Sequence, residues 1–241
     1  MTLKIEKFLQ MLRTSREATV ICGAGISSAS QIPLLGNEYN AYKDITGGKR
    51  VPLASLQFLK RNPMLFYKAY REVFIDPILN IGPSVTHYTI QRLIEMGLLS
   101  HVITSNIDTL QQRAGTSNVI ELWNSLNFEI CTVCGANYDF SILEQDIPIC
   151  TNCGGIVAPL VLVRGLSPSS KGFKLADRAI DHSDLLIYVG TSGTYYDFKN
   201  NYARSIVINP GTTSQERDAD LVVKEKSENF FNQLKKYLEI S

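Results

Sequence analysis

The 241-residue chain has no apolar run long enough to cross a bilayer, which excludes a helical membrane protein. It has no surplus of one charge either. Its 24 Lys and Arg face 23 Asp and Glu, and a net charge of +1 excludes a globally basic binder of nucleic acid or membrane surfaces. Histidine is scarce: only His87, His101 and His182 occur, none beside an obvious nucleophile. Neither a Ser/His/Asp arrangement nor an HExxH pattern appears. There is no internal repeat or low-complexity tract. Cysteine is too sparse for a disulfide scaffold, and a core of ~150 residues already buries roughly 70% of its unfolded surface without staples. The N-terminal MTLKIEKFLQMLRTSREATV sets apolar residues every three or four positions among charges. That pattern predicts an amphipathic helix, not a signal peptide, and with it an intracellular, cytoplasmic protein.

What is present is alternation. Short β-branched runs occur at 18–22, 101–104, 118–122, 184–189, 205–208 and 220–223, each bounded by Gly, Asn or Asp. Such runs predict parallel strands covered on both faces. Helical patterns lie between them at 54–75, 84–99, 173–182 and 226–240. Pro63 should divide the first or open its second helix, and Ser84 and Gly97 mark the ends of the next. Strands alternating with helices predict a doubly wound α/β core. Residues 36–53, polar and without clear periodicity, and 126–165, which hold cysteines and little helical pattern, break the rhythm. They read as parts of a smaller domain inserted into that core.

Four motifs carry chemistry. Gly23-Ala24-Gly25-Ile26-Ser27 directly follows the first strand run. It reads either as a diphosphate-binding turn with free amides and the Ser27 and Ser28 hydroxyls, or as a tight strand-to-helix turn. The dinucleotide fingerprint is incomplete, because Ser28 fills the third glycine position and Glu38 and Asp44 lie on loop-like sequence. Cys131 and Cys134, then Cys150 and Cys153, form two CxxC knuckles fifteen residues apart. That spacing predicts a closed S₄ site for one structural Zn²⁺, with Gly135, Gly154 and Gly155 supplying the turns. Cys22 stands apart as a small buried strand residue. Ser105-Asn106-Ile107-Asp108 follows the second strand, where an amide and a carboxylate either hold a ligand or cap the next helix. Gly190-Thr191-Ser192-Gly193 and Asn209 end two further strands, either as part of one nucleotide crevice or as ordinary turns.

Together these motifs resemble the sirtuin family of NAD-dependent protein deacylases and ADP-ribosyltransferases. GAGISSASQIP (23–33), NPMLFYKAY (62–70), GPSVTHYTIQRL (82–93), ITSNIDTLQQRAG (103–115), VIEL (119–122), the two CxxC pairs, VGTS (189–192) and IN (208–209) follow the family's order. The resemblance implies a Rossmann-like, doubly wound domain built from 1–35, 81–125 and 166–241. It implies a small domain made of a helical module (36–80) and a zinc ribbon (126–165), with NAD⁺ in the cleft between. By resemblance, Gly23, Ala24, Gly25, Ile26 and Ser27 line the diphosphate, and Gly190, Thr191, Ser192 and Asn209 the adenosine side. Ser105, Asn106, Ile107 and Asp108 face the nicotinamide ribose and carboxamide, with Asn106 and Asp108 as the catalytic pair.

The departures from the family pattern bear on activity. The family's VIELHGSL reads Val119-Ile120-Glu121-Leu122-Trp123-Asn124-Ser125-Leu126, so Trp123 occupies the position of the catalytic histidine. An indole cannot accept the proton that the histidine takes from a ribose hydroxyl. Ser105 replaces a glutamine, Leu35 and Gly36 replace a phenylalanine and an arginine, Val161–Leu166 departs from VVWFGE, and Glu225 replaces a glycine. Three readings follow. The first is a sirtuin-type enzyme that cleaves the nicotinamide–ribose bond, by ADP-ribosyl transfer or NAD hydrolysis, with weak or absent deacylation. The second is an inactive module binding NAD⁺ or ADP-ribose for a protein partner. The third is a divergent deacylase with His101 or His182 as a spare base.

Overall fold

The computed structural model describes residues 3–34, 37–163, 169–193, 198 and 200–238. Leu35, Gly36 and Arg164–Leu166 lie outside them. Six strands form one parallel sheet in the order β3-β2-β1-β7-β8-β9. They are β1 (Ala18–Cys22), β2 (His101–Thr104), β3 (Ile120–Glu121), β7 (Leu185–Val189), β8 (Arg204–Ile208) and β9 (Leu221–Val223). The chain builds outward from β1 in one direction, then returns and builds outward from β7 in the other. β1 and β7 pair in register from Ala18↔Leu185 to Cys22↔Val189, so the order reverses between them. In open α/β sheets that reversal is where a crevice opens beyond the carboxyl ends.

Strands covered on both faces need apolar side chains on both sides of the pleat. Val20, Cys22, Ile187 and Val189 face one side. There they meet α1 (Leu3–Arg13), α5 (Val85–Glu95) and α9 (Ser227–Leu238), with Phe8 packed edge-on against Phe230 at 5.1 Å. Ile21, Leu186 and Tyr188 face the other side, against Ala176, Ala179 and Ile180 of α8 (Ser170–His182). Among the described residues no helix is long and apolar enough to cross a membrane.

A second core lies apart from the sheet. α3 (Leu56–Arg61) is capped by Ser55, and Pro63 opens α4 (Pro63–Tyr70) at its first turn. Two π-helical segments continue it through Ile81 and stop at Gly82, φ +72°. β4 (Glu129–Cys131) pairs antiparallel with β5 (Asn137–Tyr138) and β6 (Val157–Pro159). Leu59, Phe66, Tyr67, Tyr70, Leu143 and Val157 fill the space between these elements. Glu129 is enclosed among them, and burial pushes its carboxyl up to about 9.

Some expected elements change. The run at 118–122 shortens to β3; at its start Asn118 adopts a left-handed conformation, φ 60°, that an extended strand cannot contain. Residues 36–53 hold α2 (Glu38–Tyr42), a helix too short to show a period in the sequence. The helix expected at 173–182 starts earlier, where the Ser169 side chain accepts the Gly172 amide.

His87 ties α5 to its own start. Its Nδ1 accepts the Ser84 amide at 3.1 Å, while the Ser84 hydroxyl lies 2.9 Å from the same nitrogen. Burial lowers the imidazole to about 3, so the folded protein keeps it neutral while the unfolded chain protonates near its ordinary value of 6.5. The folded pKa is depressed, so this stabilisation is present above pH 6.5 and is lost as pH falls towards 3. Glutamine at the same helix position keeps the reciprocal cap without titrating. His87→Gln should therefore retain more stability than the parent on acidification, the difference reaching about 3 kcal/mol by pH 4 in urea unfolding. An identical acid dependence in the two proteins would refute this role.

Candidate active site and metal centre

Four polar segments follow the carboxyl ends of neighbouring strands: Gly23–Ser27 after β1, Ser105–Asp108 after β2, Gly190–Ser192 after β7 and Asn209 after β8. The first and third touch. The Gly23 amide donates to Val189 O at 3.0 Å and the Gly25 amide to Gly190 O at 2.9 Å. A Cβ on Gly25 would lie 2.7 Å from Gly190 Cα, and one on Gly190, φ +62°, would lie 2.8 Å from Gly25 Cα. These glycines are required by the approach of one turn to the other.

These contacts and one more occupy three of the amides that the sequence left open here. The turn continues as a 3₁₀ helix, Ala24–Ser30, and the Gly23, Gly25 and Ile26 amides are all bonded within the chain. Ser28 also turns back, donating to Gly25 O at 3.0 Å. Ser27 is buried and donates to Asp108 Oδ2 at 2.6 Å.

Asp108 is the centre of a closed network. Its Oδ1 accepts the Leu110 amide at 3.0 Å, so it serves the helix turn as well as the crevice. Burial raises its carboxyl, opposed by the Ser27 and Leu110 hydrogen bonds. Asn106 Nδ2 reaches Gly23 O at 3.1 Å and Ser27 Oγ at 3.2 Å, and the Asn106 amide donates to Thr104 Oγ1. Ser105 crosses to β1 through Cys22 O. Ile107 packs against the second core, and its carbonyl accepts the Leu126 amide at 2.9 Å. On the far side, Asn209 spends Nδ2 on Thr191 O at 2.8 Å and Oδ1 on the Gly211 amide at 2.9 Å, while Ser192 is exposed.

Trp123 leaves the end of β3 and packs edge-on against Phe173 at 6.2 Å, in the cluster with Ile21, Ile103 and Leu122. His101 and His182 lie elsewhere. They line a groove of about 520 Å³ at the amino ends of the strands, with His101 on Glu17 at 3.0 Å and His182 on Arg178 O at 2.7 Å. Gln111 is buried, donating to His87 O and Thr116 Oγ1. Glu121 appears in the sequence only as part of the VIEL run, with no role assigned; its carboxyl accepts from Gln112 at 2.6 Å and is raised by burial, with Asp108 adding to the shift. Only the pairing of Thr104 with Glu121 across β2 and β3 brings it beside the crevice.

The four ribbon cysteines converge. Their sulfurs lie within 4.8 Å of one another, with Cys131–Cys153 and Cys134–Cys150 each at 3.6 Å. Tetrahedral Zn–S bonds of about 2.3 Å place sulfurs roughly 3.8 Å apart, so the set fits a four-thiolate zinc centre with no open position. The knuckles match: Gly135 N donates to Cys131 O at 3.1 Å and Gly154 N to Cys150 O at 2.9 Å, both glycines at φ +74°. Tyr138 donates its hydroxyl to Cys150 Sγ at 3.1 Å, which helps draw that thiol down to about 6. The protein should carry one zinc per chain by atomic emission. Cys153→Ser should lose most of it and melt in two steps, because a structural zinc supplies about 10 kcal/mol or more of folding free energy. Full stability without metal would contradict a structural role.

A model of the Sir2 family matches residues 23–197. The NAD-dependent protein deacetylase of Clostridium acetobutylicum is 32% identical over 234 residues, covering 92% of this chain and 94% of the relative. That of Sulfolobus acidocaldarius is 33% identical over 238 residues, covering 93% and 91%. Among solved structures, one from a study of sirtuin substrate affinity superposes with a TM-score of 0.81 at 27% identity, covering 98% of this chain and 99% of that one. A Sir2 complex with p53 peptide and NAD⁺ superposes at 0.76 and 27% identity, covering 99% and 100%. With the fold, the crevice and the thiolate centre in the same order along the chain, this protein belongs to the Sir2 family.

Proposed function

We propose that this protein binds NAD⁺ in the crevice at the ends of β1, β2, β7 and β8 and breaks its nicotinamide–ribose bond. ADP-ribose then passes to water or to a protein acceptor, with little or no lysine deacylation. One observation carries the reading: buried Ser27 and Asp108 and half-buried Asn106 form an intact hydrogen-bond network, while Trp123 stands at the position that the family resemblance gives to the ribose-directed base. The relatives named as deacetylases and the Sir2–peptide–NAD⁺ complex support NAD⁺ as the ligand.

NAD⁺ supplies a glycosidic bond whose leaving group is neutral nicotinamide. The chain's part is to hold the carboxamide and to tolerate positive charge at the ribose. Ser27 and Leu110 fix the Asp108 carboxyl on two sides, and Asn106 is pinned beside it through Gly23 and Ser27. Gly190, Thr191 and Asn209 shape the adenosine end, and the Gly23–Ser27 turn lies between. Deacylation additionally needs a base at the ribose hydroxyl, and its loss costs typically 10²–10⁴-fold. His101 and His182, at the amino ends of the strands, do not reach that position. The internal saturation of the Asn106 donors favours a second reading, in which the crevice binds NAD⁺ or ADP-ribose without turnover.

Zinc-loaded protein incubated with NAD⁺ should release nicotinamide, and Asp108→Ala should lower that release by about 10² or more. No release, with ADP-ribose still raising the melting temperature, would move the conclusion to the binding module. Neither release nor stabilisation would remove NAD⁺ from the account.

A further inference from the structure

The turn that carries Asp108 has little structure of its own beyond the Leu110 amide on Asp108 Oδ1 and two backbone bonds, Arg113 N to Thr109 O and Ala114 N to Leu110 O. α6 (Leu110–Arg113) is one turn of helix, too short to be stable alone. Its cap, Thr109, is a β-branched residue at φ +63° whose side chain makes no capping bond. Left-handed backbone is unfavourable for such a residue and persists only where its surroundings impose it.

We infer that Arg113 is the positioning residue that imposes it, by tying the Asp108 turn to the metal-holding ribbon. Arg113 Nε donates to Thr109 Oγ1 at 3.3 Å. Its guanidinium carbon lies 4.5 Å from the centroid of the Phe140 ring, a stacked cation over a π face. Phe140 is buried in the second core and opens a 3₁₀ turn that Asp139 caps through the Ser141 amide at 2.9 Å. Two residues before it, Tyr138 bonds Cys150 Sγ. A continuous run of contacts therefore joins a thiolate of the metal centre to the residue beside Asp108. The metal centre sits outside the crevice yet sets the shape of the crevice's central turn. This deepens the reading of Asp108 given above and rests on it.

Amide exchange at Leu110, whose N–H is bonded to Asp108 Oδ1, tests the tie without any turnover, so failure of the activity and failure of the tie are distinguishable. In the zinc-loaded full chain, Arg113→Met and Thr109→Val should each speed Leu110 exchange about tenfold, the scale of one lost hydrogen bond. Thr109→Ser, which keeps the acceptor, should stay near the parent, as should the amides of β7 in every variant. Chelating zinc from the parent should give the same increase, and chelation should add less than about twofold to Arg113→Met if both act on one route. In turnover assays Arg113→Met should lower kcat for nicotinamide release and leave KM for NAD⁺ unchanged. Unchanged Leu110 exchange in Arg113→Met, or a full further increase on chelating that variant, would overturn the inference.

Discussion

Where β1 and β7 end, two backbones touch. The Gly25 amide meets the Gly190 carbonyl at 2.9 Å, with no space for a Cβ on either glycine. That contact sits at the reversal of strand order, so it fixes the floor of the crevice and the relative height of its walls. Through Ser27, five residues after the end of β1, it also reaches Asp108 on the next wall. The polar segments at the ends of β1, β2, β7 and β8 are thus held to one another by protein–protein hydrogen bonds. Burial of Asp108 is tolerable only because both its oxygens have donors.

On the proposed reading, two halves of the family reaction are separable on this scaffold. The half that needs a fixed amide and carboxylate keeps them: Asp108 is buried with both oxygens bonded, and the half-buried Asn106 has its side-chain N–H groups on Gly23 O and Ser27 Oγ. The half that needs a base has an indole, drawn against Phe173 and the apolar face behind β3. An aromatic cluster there contributes packing of about 1 kcal/mol or less per ring pair, which stabilises the fold but moves no proton. The thiolate centre, closed on four sides, likewise holds structure and offers no position for chemistry.

Much of this was legible in the sequence because it rests on periodicity or on strict spacing. The β1, β2 and β7 runs, the opening of α4 by Pro63 and the two knuckles all fall where pattern and ligand geometry require. What was not legible depends on backbone sign or on meetings across the fold. Asn118 is of a residue type that tolerates a positive φ, but nothing in the β-branched Thr109 announces one. The amides of Gly23 and Gly25 look free until the β7 turn is laid beside them. Arg113 is an ordinary helix-end cation until Phe140 arrives beneath it from the ribbon. Glu129 reads as one polar position in a short strand, yet the second core encloses it and keeps it protonated.

The separation of the two halves is tested most directly by counting products together. With NAD⁺ and an acetyl-lysine peptide, nicotinamide and deacetylated peptide are measured in the same reaction for the parent and for Trp123→His. The account predicts that the parent releases nicotinamide well in excess of deacetylated peptide, and that Trp123→His raises deacetylated peptide per nicotinamide by about tenfold or more. One deacetylated peptide per nicotinamide in the parent would contradict it.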